Sequence, residues 1–325
     1  MCKMAELSII IPYVNEYPQI LFTIQSIAAD LRDRVDFEIV AVNNYCDQLA
    51  NQLKSQNRPY EEDKSSLAIK ATAGKQNPWL VHAEYSDKLS HWNAKRVGVK
   101  HSSGRYLFFV DSHVALSRDS LYGMFRYYIN HEDEVNGSMH LPLTYKILES
   151  RKLIYKLNTE QAKNGVLEYK FTKYRDENKP YEVPCMSCCG VMISRRIYEA
   201  LGGWSPEFGI YGGGENFFNF TLSVLGMKKW IYPKGVCFHH GEARSYHYVY
   251  DDFVRNKLIA CYLYGGREWA LKAVNGGLKG RPEVLHSIYK NVDLKCRKHR
   301  EHIKRQERLD IRDWVRKWEP QYASA

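Results

Sequence analysis

Residues 107–116 read LFFVDSHVAL, in which four apolar residues give way abruptly to Asp111, Ser112 and His113. The apolar part belongs to a longer stretch, Arg105–Val110, that is typical of a buried β-strand. Side chains at positions i and i+2 of an extended segment point to the same side, so the carboxylate of Asp111 and the imidazole of His113 can reach one ion. The stretch therefore predicts a strand that ends by presenting two metal-ligating groups.

The sequence before this strand predicts an alternation of strands and helices. Helical patterns occur at residues 20–28 and at Ser90–Lys100, and the strand segments are Leu7–Val14, Phe37–Val42, Trp79–His82 and Arg105–Val110. Such alternation predicts an α/β fold with a Rossmann-like, mostly parallel central sheet and flanking helices. Ligands bind these sheets beyond the C-terminal ends of the strands, where Asn43, Asn44 and Asp111 lie.

The second half of the chain is less regular. Thr144–Glu182 is polar, rich in Lys and Tyr, and shows no strong period. Beyond it we predict, in order, the strand Gly190–Ile193, the helix Arg195–Gly202, the helix Glu215–Leu225 and the strand Lys229–Phe238, which runs into His239 and His240. In the C-terminal region Ile311, Trp314, Val315 and Trp318 have the spacing of one packing face of a helix.

The residues at the strand ends suggest a metal site. His239 or His240 could add a third ligand to Asp111 and His113, and a mixed Asp/His set with open positions suits Mn²⁺ or Mg²⁺ that bridges a diphosphate. The alternative is a strand that simply ends in polar residues at the surface.

Composition bounds the class of protein. There is no apolar run of about 18 residues, which excludes a transmembrane helix, and no secretory signal, so we expect a cytoplasmic protein. The chain has eight cysteines. We expect free thiols, and the motif C-x-x-C-C at residues 185–189 is either half of a zinc site or a set of small buried side chains.

Several motifs together resemble one enzyme family. The segment Ser8–Glu16 has the form S-x-I-I-P-x-x-N-E, and the cluster Asn93–Gly98 and the turn Ser103–Arg105 precede the Asp111–His113 strand. The later block CGVMISRRIYEALGGWSPEFGIYGGGEN ends in the GGEN of residues 213–216. Over residues 7–245 the chain resembles GT-A glycosyltransferases of the family 2 type, with D-S-H and GGEN motifs similar to those of polypeptide N-acetylgalactosaminyltransferases.

The resemblance implies a UDP-sugar donor, such as UDP-glucose, and a metal ion held by Asp111, His113 and His239. It makes Glu215 the catalytic carboxylate, either as a base toward the acceptor hydroxyl or as a sugar anchor, and leaves Trp204 either stacked on sugar or in the core. Donor-binding candidates are Pro12, Asn15, Glu16, Asn43, Asn44, Asn93, Arg96, Ser112, Gly213, Gly214, Arg244 and His247. The pair Asn43–Asn44 departs from the Asp-Asp or Asp-Asn of the family, which points to altered nucleoside contacts.

We expect a catalytic domain over residues 1–250, with an acceptor-side insertion at 144–182, and a helical basic region over 251–325. The chain has 47 Lys and Arg against 37 Asp and Glu, a net charge of +10. Residues 295–308, KCRKHREHIKRQER, are especially basic, and in a helix Arg297, Arg300 and Lys304 would share one face. Cations can hold phosphates, and aromatic residues of the insertion can stack on bases.

These features resemble viral or phage enzymes that glycosylate hydroxymethylated pyrimidines in DNA, so we expect DNA as the acceptor, in the host cytoplasm if the protein is viral. One alternative is a transferase for a cell-envelope glycan or lipid-linked acceptor, docked on an anionic membrane face. Another is an inactive GT-A protein that binds nucleic acid.

Overall fold

The computed structural model describes residues 5–56, 64–74, 77–145, 151–158, 165–240 and 246–319. Within them the strands are β1 (Leu7–Tyr13), β2 (Phe37–Asn43), β3 (Leu80–Glu84), β4 (Tyr106–Phe109), β5 (Val114–Leu116), β6 (Gly137–His140), β7 (Leu143–Thr144), β8 (Leu153–Asn158), β9 (Glu168–Lys173), β10 (Tyr181–Glu182), β11 (Val191–Ser194), β12 (Lys228–Ile231) and β13 (Cys237–His239). The helices are α1 (Gln19–Leu31), α2 (Asp47–Ser55), α3 (Lys64–Thr72), α4 (His91–Lys100), α5 (Ser120–Asn130), α6 (Glu132–Val135), α7 (Arg195–Ala200), α8 (Gly214–Val224), α9 (Tyr250–Lys272), α10 (Pro282–Lys304) and α11 (Ile311–Trp318).

Eight strands form the central sheet, in the order β10-β12-β6-β11-β4-β1-β2-β3. The β4-β1-β2-β3 part is parallel throughout, and β11 runs antiparallel between β4 and β6. All seven residues of β1 are buried, as expected for a parallel strand covered on both faces. The predicted α/β fold with a mostly parallel sheet is therefore confirmed.

Helix α4 lies unusually close to this sheet, because Gly98 faces β1. A Cβ atom at Gly98 would come within 2.5 Å of Ile10 Cγ2 and 3.1 Å of Val42 Cγ2. Only glycine permits this approach. The glycine of the Asn93–Gly98 motif thus sets the distance between α4 and the strands that end at the site.

A second sheet, in the order β5-β13-β7-β8-β9, was not predicted. The segment Lys229–Phe238, expected as one strand, is divided between β12 in the central sheet and β13 in the second sheet. Pro233 lies between them and offers no backbone N–H to a ladder, which explains the interruption. The supposedly irregular Thr144–Glu182 segment supplies the antiparallel hairpin β8–β9, whose residues pair from Leu153↔Lys173 to Asn158↔Glu168.

The C-terminal helices pack on the rest of the molecule. The predicted face of α11 is confirmed, since Ile311, Trp314 and Val315 are buried and Trp318 packs against the same core. Helix α10 ends beside α8, where Arg308 N donates to Val224 O at 2.8 Å. Among the described residues, no helix combines the length and the apolar character needed to cross a membrane.

Lys229, on β12, is buried beneath α11. Its Nζ donates to Asn219 O at 3.2 Å and to Ser223 Oγ, and it lies 4.7 Å from the ring centroid of Trp314. Burial lowers the pKa of Lys229 to about 7. An unfolded lysine titrates near pH 10.4, so between about pH 7 and 10 the unfolded chain binds more protons, and stability rises with pH there.

We predict that Lys229→Met raises the free energy of unfolding by at least about 1 kcal/mol at pH 6–7, because it removes a buried charge. Ser223 Oγ already donates to Asn219 O, so no polar group loses its last partner. The gain shrinks toward pH 10, where the wild-type lysine is neutral. Urea unfolding across this pH range measures both effects, with Lys228→Met on the same strand as the control. A gain that does not change with pH would contradict the prediction.

Candidate active site

Three side chains meet where the two sheets join. Residues 110–113 connect β4 of the central sheet to β5 of the second, and β13 pairs with β5 so that His239 lies opposite Val114. His239 Nε2 is 3.4 Å from Asp111 Oδ2 and 3.3 Å from His113 Nε2. The potential ligand atoms of Asp111, His113 and His239 all lie within 4.8 Å of one another. The adjacent His240 is exposed, so His239 is the histidine that completes the cluster.

Glu16 orients one of these histidines. Its Oε1 is 3.0 Å from His113 Nδ1, which leaves Nε2 directed at His239 and Asp111. Burial raises the pKa of Glu16, although the contact with His113 opposes the shift. A carboxylate on the far nitrogen of an imidazole fixes the tautomer and the ring orientation of a metal-ligating histidine.

Asp111 has a buried lysine as its second partner. Lys95 Nζ, on α4, is 3.2 Å from Asp111 Oδ1 and 3.2 Å from Cys188 O. Burial would raise the pKa of Asp111, but the charges of Lys95 and His239 outweigh it and hold this pKa well below its usual range. Lys95 therefore holds Oδ1 and leaves Oδ2 toward the histidines.

Glu215 lies in the first turn of α8. Its Oε1 accepts hydrogen bonds from Ser187 Oγ at 3.0 Å and from Cys188 N at 2.9 Å. The hydroxyl of Tyr169, on β9, donates to Oε2. Three donors thus hold this carboxylate from two different segments of the chain.

A cavity of about 680 Å³ contains all of these groups, within the usual size range of ligand pockets. Helix α9, the first helix of the C-terminal region, forms part of its wall through Phe253 and Lys257. Lys257 Nζ pairs with Glu168 Oε1 at 2.6 Å and donates to Asn216 Oδ1 at 2.9 Å. The wall is therefore built by the central sheet, the β8–β9 hairpin and the C-terminal region together.

The candidate residues from the sequence divide into three groups. Those in the cavity wall are Pro12, Glu16, Asn44, Asp111, Ser112, His113, Gly213, Glu215 and His239. Those that are not part of the wall are Asn15, Asn43, Asn93, Arg96, Gly214 and His247. Arg244 lies outside the described residues.

Several of these residues shape the wall through bonds to the protein itself. Asn93 is fully buried, and its Nδ2 donates to Ser90 Oγ and Phe208 O, while Arg96 Nε donates to Asn93 Oδ1. The Asn44 amide donates to Tyr85 O and accepts from Ser90 N. A Cβ atom at Gly214 would collide with the Trp92 ring at 2.2 Å.

Trp204 is a core residue and not a sugar platform. It is 1% exposed and stacks on Trp92 and Phe218 at centroid distances of 5.6 and 5.8 Å. The cysteines of the C-x-x-C-C motif are likewise buried free thiols, as expected for the packing alternative. Cys189 Sγ is 3.9 Å from Cys237 Sγ.

Lys95, Tyr169, Glu168 and Lys257 were missed by the sequence analysis. Lys95 lies inside the Asn93–Gly98 motif, but nothing in a sequence distinguishes a buried lysine from an exposed one. For Tyr169 a signal existed, because Tyr169 and Phe171 alternate with Glu168 and Lys170 in the pattern of a half-buried strand.

The chain matches known proteins in sequence and in fold. Residues 69–202, less than half of the chain, match the model of Glycosyl transferase family 2, whereas no curated protein matches it in sequence. Similar structures include GalNAc-T7 with UDP, GalNAc and Mn²⁺ (TM-score 0.62, 13% identity, covering 90% of this chain and 55% of that one). A second is S. aureus TarS 1-349 in complex with UDP-GlcNAc (TM-score 0.54, 11% identity, covering 98% of this chain and 82% of that one). A third is the mannosyltransferase PcManGT from Pyrobaculum calidifontis with GDP-Man and Mn²⁺ (TM-score 0.50, 15% identity, covering 94% of this chain and 74% of that one).

These matches confirm the predicted GT-A fold and the family 2 resemblance. The chain spans about half the length of the GalNAc-T7 chain. Asp111 and His113 lie within the segment that matches the family model, whereas His239 follows that segment.

We predict that Lys95→Met lowers the free energy of unfolding by about 2–3 kcal/mol, because the Asp111 carboxylate loses its ammonium partner. A fully buried pair would cost about 3–5 kcal/mol, but the Asp111 side chain is 30% exposed. Adding Asp111→Asn should restore most of the loss in urea unfolding, since no uncompensated charge remains. The control is Lys100→Met, at the exposed end of α4. A double variant no more stable than the single one would contradict this explanation.

Proposed function

We propose that this chain is a metal-dependent glycosyltransferase that moves a hexose from a UDP-sugar to a hydroxyl acceptor. The observation that carries the proposal is the convergence of Asp111, His113 and His239 in one cavity with Glu215, at the C-terminal edge of a GT-A sheet. The crevice beyond the strand ends is where open α/β sheets bind ligands.

The donor set fits a divalent ion such as Mn²⁺ or Mg²⁺. Ligands about 2.1 Å from a common ion lie roughly 3.0–3.4 Å apart when adjacent. The two separations that involve His239, 3.3 and 3.4 Å, agree, and all three ligand atoms lie within 4.8 Å of one another. One carboxylate and two imidazoles leave coordination positions for a diphosphate. When bound, the ion would neutralise the charge that develops on the diphosphate as the glycosidic bond breaks.

The protein side chains then have distinct tasks. Glu16 orients His113, and Lys95 holds Asp111, so both ligands are preorganised. Glu215 accepts three hydrogen bonds, so the protein already holds its carboxylate in one orientation. Between the two roles left open by the sequence, this favours Glu215 as an anchor for a hydroxyl of the transferred sugar.

The nature of the donor is supported by the similar structures. GalNAc-T7 holds UDP, and TarS holds UDP-GlcNAc, whereas the mannosyltransferase holds GDP-Man. Two of the three bound nucleotides are uridine nucleotides. A UDP-hexose, with UDP-glucose as the first to test, is therefore the donor that we propose.

For the acceptor we propose a hydroxymethylated pyrimidine in DNA. The support is the net charge of +10 and a row of exposed cations at the end of α10 and just beyond it, formed by Lys298, Lys304 and Arg305. Helix α10 has 23 residues and is about 35 Å long. A duplex of about ten base pairs spans the same length.

Two of the expectations behind this acceptor need correction. Arg300 does not share the exposed face with Arg297 and Lys304, because it donates to Leu263 O and to Glu307 and its side chain is 14% exposed. Most aromatic rings of the insertion pack inward, and Tyr155 is 5% exposed. Tyr145 and Phe171, at 39% and 50% exposed, remain open for stacking at the cavity.

We predict that His239→Ala abolishes Mn²⁺-dependent transfer and weakens Mn²⁺ binding by at least about 100-fold, because it removes a ligand. His240→Ala, the matched control, should keep both, since its side chain is exposed. Titration calorimetry with Mn²⁺ alone measures binding, and release of UDP measures turnover. Full turnover of wild type in chelator would refute the metal proposal.

We predict that replacing Lys298, Lys304 and Arg305 by Ala weakens DNA binding and makes the salt slope shallower by up to about three units, one for each lost phosphate contact. Replacing the exposed Lys54, Lys100 and Arg118 by Ala removes the same charge elsewhere and serves as the control. If only binding to anionic vesicles falls, the envelope acceptor is the better choice. Nucleoside mass spectrometry after incubation with hydroxymethylcytosine or hydroxymethyluracil DNA tests the acceptor itself.

A further inference from the structure

The β8–β9 hairpin reaches across the cavity to the catalytic carboxylate. Tyr169 donates its hydroxyl hydrogen to Glu215 Oε2, and its ring stacks on Tyr155 at a centroid distance of 4.5 Å and an angle of 5°. Burial, and next the negative charge of Glu215, raise the pKa of Tyr169 well above its usual range. The hydroxyl therefore stays protonated and remains a donor.

Among the residues that the structure describes, the hydrogen bonds of Glu215 leave one acceptor position. Each carboxylate oxygen has two lone pairs. Both on Oε1 are engaged by Ser187 Oγ and Cys188 N, and Tyr169 engages one of the two on Oε2. The three donors together fix the direction of the last lone pair, and Tyr169 is the donor that shares Oε2 with it.

The two residues before Tyr169 are held by two different helices. Asn216, the residue after Glu215, donates to Leu167 O at 2.8 Å. The neighbouring Glu168 is paired with Lys257 of α9 at 2.6 Å, and the Lys257 side chain is 8% exposed. Helices α8 and α9 therefore fix the start of β9, and the hairpin cannot slide along the cavity without breaking buried charged bonds.

We propose that Tyr169 is a positioning residue that aims the free lone pair of Glu215 at a hydroxyl of the donor hexose. This inference rests on the proposed function, because it takes Glu215 as the group that touches the sugar. Tyr169 acts through Glu215. The β8–β9 hairpin, which belongs to the predicted acceptor-side insertion, is thereby coupled to the binding of the sugar.

The test compares Tyr169→Phe with Tyr174→Phe. Tyr174 follows β9, and its hydroxyl donates to Pro233 O at 3.2 Å, so both variants lose one tyrosine hydroxyl bond. Tyr169→Phe should lower kcat roughly 10- to 100-fold, the range for a hydrogen bond to a charged group. It should also lower the affinity for UDP-glucose while the affinity for UDP stays unchanged in titration calorimetry. Tyr174→Phe should alter neither.

A double-mutant cycle separates positioning from a general structural effect. In a Glu215→Gln background, Tyr169→Phe should cost less than about threefold, because the group through which it acts is already altered. Full additivity overturns the inference, and so does an unchanged ratio of UDP-glucose to UDP affinity in Tyr169→Phe. If wild type turns over no UDP-hexose, the proposed function fails, and the affinity ratio still decides the role of Tyr169.

Discussion

The joint between the two sheets, at residues 110–113, is the constraint on which the site depends. The chain leaves the central sheet after Phe109 and enters the second sheet at Val114. The fully buried hydroxyl of Thr23 on α1 lies at 2.8 Å from Ser112 O and accepts a hydrogen bond from Val114 N at 2.9 Å. The segment that carries Asp111 and His113 is therefore fixed by hydrogen bonds to α1. β13 brings His239 to these residues because it pairs with β5, which begins at Val114.

Two buried lysines in the wall of the cavity are each paired with a carboxylate. Lys95 faces Asp111, and Lys257 faces Glu168, with each lysine side chain at 8% exposure or less. Breaking either pair would leave a buried charge without compensation, which is costly. The pairs therefore hold the cavity in one arrangement, and a bound ion would add its charge to groups whose positions are already fixed.

The parallel part of the central sheet, β4-β1-β2-β3, could be predicted because its strands are largely runs of apolar residues, as in Leu7–Tyr13, whereas β6 and β10 were not predicted. The cluster of Asp111, His113 and His239 could also be predicted. Asp111 and His113 are two positions apart and follow directly after a strand, which places both at the edge of the sheet. The partners of these residues could not. Lys95 meets Asp111, and Tyr169 meets Glu215, through tertiary packing that has no period in the sequence. The alternation of Tyr169 and Phe171 with Glu168 and Lys170 was a signal for β9, but nothing in the sequence showed that this strand pairs with β8.

The reach of α9 into the cavity has a consequence for the order of events during synthesis. The segments that carry Asp111 and His239 leave the ribosome before α9, and Glu168 can pair with Lys257 only after α9 has been made. Until α9 has formed, Phe220 of α8 lacks its ring contact with Tyr264, and Glu168 at the start of β9 lacks its partner Lys257. The part of the cavity wall that Phe253 and Lys257 form is therefore in place only when the helix that begins at Tyr250 has docked.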